Sequence, residues 1–201
     1  MGDTKERILQ TALELFAQKG YEAVSVSDIA GALGLTKGAL YRHFESKGAI
    51  FDSILRRMEQ QDAREAHDHD LPQGTAETDA AAYEAATVED IVSFSRSMFR
   101  YWTEDPFAAP FRRMLNVEQY RSPAMAGLYR QYLAAGPMGY VADLFRSLGI
   151  PDPDRRAAAF YGPMFLLYSV YDGAEDKAAV TALLDEYLDH ALQSLREEKT
   201  C

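Results

Sequence analysis

Apolar residues recur at three- and four-residue steps through nearly the whole chain. No run of four to eight residues alternates cleanly between apolar and polar with turn signals at both ends. This predicts an all-α protein of about nine helices. The first segment places Ile8, Leu9, Ala12, Leu13 and Phe16 on one face, with Asp3 and Thr4 as candidate caps and Gly20 as its stop. Ser25 precedes Val26, with Asp28 three residues on, in the spacing of a capping box. The helix so opened runs through Ile29, Ala30 and Leu33 to Gly34. Thr36 caps a third helix ending around Phe44. Ser46 caps a fourth, carrying Ile50, Phe51, Ile54, Leu55 and Met58.

Residues 66–86 break the pattern: apolar side chains are scarce, acids are frequent, and Pro72 and Gly74 stand in the middle, so a loop is expected. Helical spacing resumes at Val88 and passes Phe94, Met98 and Trp102 before Pro106. Further helices are predicted from Phe107 to about Tyr120, from Ser122-Pro123 to Leu148 with a kink at Gly136-Pro137, over about 154–171, and over about 176–197. No repeat of 20–50 residues is present in the 201-residue chain.

Charge is unevenly distributed. The net charge is −10, yet residues 1–50 hold six Lys/Arg and six Asp/Glu, and the remainder holds fifteen and twenty-five. An acidic body disfavours nucleic acid and anionic membrane, so any phosphate contact must come from a local patch in the neutral first quarter. The charge-free stretch 157–171 is interrupted by Pro163 and falls short of the ~18–20 residues of a membrane span, so no membrane partner is expected. The polar N-terminus predicts no secretory leader, and the lone Cys201 allows no internal disulfide. Both favour a cytoplasmic protein.

The patch is GLTKGALYRHFESK, residues 34–47. Two short helices divided by Gly34 make a helix-turn-helix pattern. Leu40 and Phe44 share a face and form a small core with Ile29, Leu33, Leu35 and Phe16, whereas Lys37, Gly38, Tyr41 and Arg42 fall on a different arc. Gly38 allows close approach to a surface, and Lys37 lies by the helix N-terminus, where free N–H groups attract anions. Such a helix fits the DNA major groove. Tyr41, His43 and Lys47 suit phosphates, and Arg42 suits phosphate or guanine. The bland alternative for the cluster is a solvated polar face.

Residues 24–51, VSVSDIAGALGLTKGALYRHFESKGAIF, with the upstream ILQTALELFAQKGYEAVSV, resemble the DNA-binding signature of the tetracycline-repressor (TetR) family of bacterial regulators. The likeness covers about the first quarter of the chain. It implies an all-helical homodimer with a three-helix DNA-binding domain (1–47) and a helical effector-binding and dimerisation domain (48–201). By position, Tyr41, His43 and Lys47 would contact phosphates. Thr36, Lys37, Gly38 and Arg42 would approach the major groove of a palindromic double-stranded operator, and Ser25 would cap the second helix near the backbone. Leu33 and Leu35 depart mildly, standing where Ala and Val are common.

In the C-terminal part, residues 160–171 are apolar nearly all round and residues 180–195 carry a clean helical stripe. Pairing these two helices with a second copy would give a four-helix interface, with Phe160, Met164, Leu167, Leu184, Leu188 and Leu192 at the dimer contact. The alternative is that both pack inside one subunit. A pocket for a small apolar or amphiphilic effector is expected to involve Phe99, Trp102, Phe111, Met114, Tyr129, Phe165 and Tyr168, although abundant acids leave a cationic ligand open. No cofactor is implied. Release from the operator on effector binding is the expected mode; activation or co-repression on the same fold is the alternative. An enzyme or metal protein is disfavoured: no G-x-S-x-G, P-loop or G-x-G-x-x-G occurs, and His67-Asp68-His69-Asp70 lacks further ligands at useful spacing.

Overall fold

The computed structural model describes residues 2–69, 71–72, 74–75 and 77–199. Of the residues singled out from the sequence, Asp70, Cys201 and the side chain of Asp3 lie outside this part. Eleven helices and no strand are found among the described residues. They are α1 (Gly2–Lys19), α2 (Val26–Ala32), α3 (Lys37–Tyr41), α4 (Lys47–Asp68), α5 (Ala80–Ala85), α6 (Val88–Glu104), α7 (Ala108–Glu118), α8 (Pro123–Leu133), α9 (Ala135–Ser147), α10 (Pro153–Gly173) and α11 (Lys177–Lys199). The all-α expectation holds. The two helices beyond the expected nine are α5, inside the predicted loop, and the product of a full break within 122–148.

That break falls at Ala134, with φ −125 and ψ −99, two residues before the expected Gly136-Pro137 kink. A Cβ on Gly136 would sit 2.0 Å from the Gln131 carbonyl oxygen, so only glycine allows the chain to fold back so tightly. Pro137 carries no N–H, which leaves the Leu133 carbonyl without a helical donor, and the Tyr161 hydroxyl donates to it at 2.8 Å. Pro163 inside α10 is served in the same way. The carbonyl four residues back, that of Ala159, receives the Tyr187 hydroxyl at 3.0 Å, shared with Phe160 O at 2.8 Å. Burial pushes the Tyr187 phenol up to about 12.

The chain forms two compact units. Unit 1 comprises residues 1–61 and 105–129; unit 2 comprises 62–104 and 130–201. Residues 1–47 lie wholly within unit 1, which is larger than that stretch because α7 returns to pack on α1. Its core contains the predicted stripe of α1, with Ile8, Ala12 and Leu13 at 0% exposure, together with Ile29, Leu40, Ile50, Ile54 and Phe111. Within unit 2, α10 packs on α9, α11 and α6, and α6 packs on α11. Phe99 stacks on Tyr168 at 5.2 Å, and Phe145 meets Phe160 edge-on at 5.6 Å. Arg96 ties α6 to α11 through Asp185 at 2.6 Å and Asp189 at 2.8 Å.

Candidate nucleic-acid interface

The face built by α2 and α3 is set by local chemistry at each helix end. Ser25 caps α2: its Oγ accepts from Asp28 N at 3.2 Å, while its own N–H donates to Asp28 Oδ2 at 2.8 Å, completing the expected box. The Ser25 hydroxyl also donates to Asp28 Oδ2 at 2.6 Å, and these bonds hold the Asp28 carboxyl below its usual range. At the other end, Leu35 N–H reaches Ala30 O at 2.9 Å and Gly34 N–H reaches Gly31 O at 3.1 Å. This Schellman pairing needs a left-handed residue, and Gly34 supplies it at φ +66. Thr36 Oγ1 then accepts from Ala39 N at 3.1 Å and opens α3.

α3 is five residues long, with Arg42 as its C-cap, rather than reaching Phe44. Leu40 is fully buried and Phe44 nearly so, while Leu33 and Leu35 are half-buried and only partly join the core. Thr36, Lys37, Gly38, Tyr41 and Arg42 are all exposed on the opposite arc, and Ser25 is exposed at the start of α2. A Cβ on Gly38 would meet nothing within 4 Å. His43 is half-buried just beyond α3. Lys47 is placed differently from a free phosphate donor. Its ammonium donates to Tyr21 O at 2.8 Å and lies 4.3 Å from the centre of the Tyr21 ring. This contact joins residues 26 apart and carries no local sequence signal. Lys5, unremarked in the sequence, lies 5.9 Å from the Phe44 ring.

The side chains expected to line an effector pocket are divided. Phe111, Met114 and Tyr129 belong to unit 1, and Phe99, Trp102, Phe165 and Tyr168 belong to unit 2. Phe99, Trp102, Tyr168, Phe111 and Met114 are buried, Tyr129 is half-buried, and Phe165 is exposed. Of the residues expected at a dimer contact, Phe160, Met164, Leu167, Leu184 and Leu188 are buried within the single chain, and Leu192 is half-buried. The large apolar side chains that α10 and α11 leave exposed are Phe165, Leu166, Val170 and Leu183.

Two capped short helices joined at a left-handed glycine, with an exposed polar face, form a helix-turn-helix in an all-helical chain. Residues 8–54 match the model of the bacterial regulatory proteins, tetR family. That N-terminal match is the one its sequence led us to expect. The HTH-type transcriptional repressor KstR2 of Rhodococcus jostii (strain RHA1) is 46% identical over 52 residues, 26% of each chain. The chain spans only 17% to 28% of the length of the curated relatives it matches. Among solved structures, the TetR family transcriptional regulator PfmR of Thermus thermophilus is 26% identical with a TM-score of 0.63, covering 93% of this chain and 97% of that one. The SmeT–triclosan complex shares the fold, with 17% identity, a TM-score of 0.65 and 96% and 91% coverage. SmeT is the repressor of a Stenotrophomonas maltophilia multidrug efflux pump. No helix among the described residues is long and apolar enough to cross a membrane.

Proposed function

We propose that this chain is a ligand-responsive transcriptional repressor of the cytoplasm that binds a palindromic operator as a homodimer. The observation that carries the reading is the exposed arc Thr36, Lys37, Gly38, Tyr41 and Arg42, held outward by the buried Leu40 and two side-chain caps. Thr36, Lys37 and Arg42 face base edges, Gly38 lets the backbone approach, and Tyr41 and His43 donate to phosphates. Residues 1–47 read DNA, and residues 48–201 dimerise and bind the effector. Leu166, Val170 and Leu183 support the dimer, since a second copy would cover them and match the operator's symmetry, with half-sites ~34–36 Å apart.

The effector is a small apolar or amphiphilic molecule. The aromatic content of α6, α7 and α10 supports this, as does the triclosan bound by SmeT, a protein of the same fold. Effector and operator oppose each other through linkage: a ligand that prefers the conformation unable to span both half-sites lowers operator affinity by the factor by which DNA lowers its own. The test is selection of duplexes from a random pool, followed by gel shift with and without compounds that raise the melting temperature. Recovery of a palindrome released by such a compound supports the reading. A pool that stays random overturns it.

A further inference from the structure

The turn between α1 and α2 is gripped from two sides by side chains distant in sequence. Tyr21 N–H donates to Glu118 Oε1 at 3.1 Å, across 97 residues, and Tyr21 O accepts from Lys47 Nζ at 2.8 Å. The Tyr21 ring is wedged between Phe16 and Phe51, each 5.0 Å away between centroids. Glu118 is 1% exposed. It stands where the buried stripe Phe111, Met114, Leu115 of α7 would ordinarily continue with an apolar residue. A carboxylate placed there is costly unless hydrogen-bonded, which argues that the bond to the turn is what it serves. Arg121 Nε lies 3.6 Å from the same oxygen. Gly20 leaves the room: a Cβ there would stand 2.8 Å from both Glu118 Oε1 and Arg121 Nη1.

We propose that Glu118 is a positioning residue for DNA reading. Ser25, the cap of α2, follows Tyr21 by four residues, so fixing the Tyr21 backbone fixes where α2 begins. Through the tight Gly34 turn it also fixes where α3 points. The acceptor sits on α7, so any event that displaces α7 is felt at the reading helix through this hydrogen bond. The inference rests on α2–α3 being the DNA-contacting pair and goes beyond it by assigning a part in recognition to a buried residue of another segment.

The test uses the full chain and a duplex enriched by the wild type from a random pool, with Glu118→Ala, Glu118→Asp and Glu118→Gln. Gln keeps a carbonyl acceptor at the same reach, whereas Asp keeps the charge but falls one methylene short. Ala and Asp are expected to weaken duplex binding about tenfold and Gln less than about threefold, the scale of one hydrogen bond. Amide exchange over residues 21–28 is expected to quicken in Ala and Asp and stay near wild type in Gln. Thermal melting identifies the folded variants; should Ala fail to fold, Asp carries the same comparison. Wild-type affinity and exchange in a folded Ala or Asp variant overturns the proposal, as does a Gln variant as impaired as Asp. If the wild type enriches no duplex, the DNA reading fails on its own, and the exchange data still decide whether Glu118 holds the turn.

Discussion

The short helix α3 and the long helix α10 are opposites in how their faces are assigned. α3 has one buried residue, Leu40, among five, and every neighbour is either polar or glycine, save the half-buried Ala39, so one buried side chain dominates the orientation of the helix. α10 carries large apolar side chains both on its buried face and among its exposed residues. Its inward face is chosen by α6, α9 and α11, which take Phe160, Met164, Leu167 and Tyr168 and leave Phe165, Leu166 and Val170 outside. Contrast along a helix, more than hydrophobicity, is what makes its orientation legible.

The largest effect is expected where that assignment is put to work. On the proposed dimer face, Leu166→Glu would place an unpaired carboxylate between two copies, at about 3–5 kcal/mol. Sedimentation should show monomers, while the monomer's own melting moves little because Leu166 is 63% exposed. Next, Leu40→Ala should cost about 2–5 kcal/mol by leaving a cavity beneath α3; a urea titration that finds less than half that range would mean α3 is oriented by its caps alone. Third, Lys37→Ala should weaken duplex binding by about 1–3 kcal/mol with melting unchanged, since its side chain is exposed. Ser25→Ala should lower stability by about 1 kcal/mol through loss of the α2 cap, measurable as a shift in denaturant midpoint.

The smallest effect concerns unit 2 and alkaline pH. The Tyr187 phenol sits near 12 in the folded chain, above its ordinary value near 10. In that interval the unfolded chain gives up the proton first, so stability is intact below about pH 10 and falls as pH rises toward about 12. Tyr187→Phe should reduce the loss between urea midpoints at about pH 9 and about pH 11. It should also lower stability at neutral pH, because the Ala159 carbonyl freed by Pro163 loses its donor.

Much of unit 1 was legible because its signals are local. Ser25 with Asp28, Gly34 and Thr36 each act within four residues, and the structure realises all three. The same locality made Ser46 readable: its Oγ accepts from Ala49 N at 3.0 Å and opens α4. What escaped is non-local. α5 is hidden because Ala80–Ala85 offers Tyr83 as its one large apolar residue, and Tyr83 is buried by partners far along the chain, with Tyr140 6.3 Å away. Lys47 looked free because nothing near it in sequence announces Tyr21. Nothing near Glu118 in sequence announces Tyr21 either, 97 residues away.

The empty space around Gly38 separates two properties that most positions bind together. A Cβ can be added there without meeting another part of the molecule, and the helix propensities of ordinary residues range over about 1 kcal/mol. A saturation library at this one codon would therefore vary recognition against an almost constant background of folding, and the survivors of such a screen would map the clearance between α3 and whatever it meets.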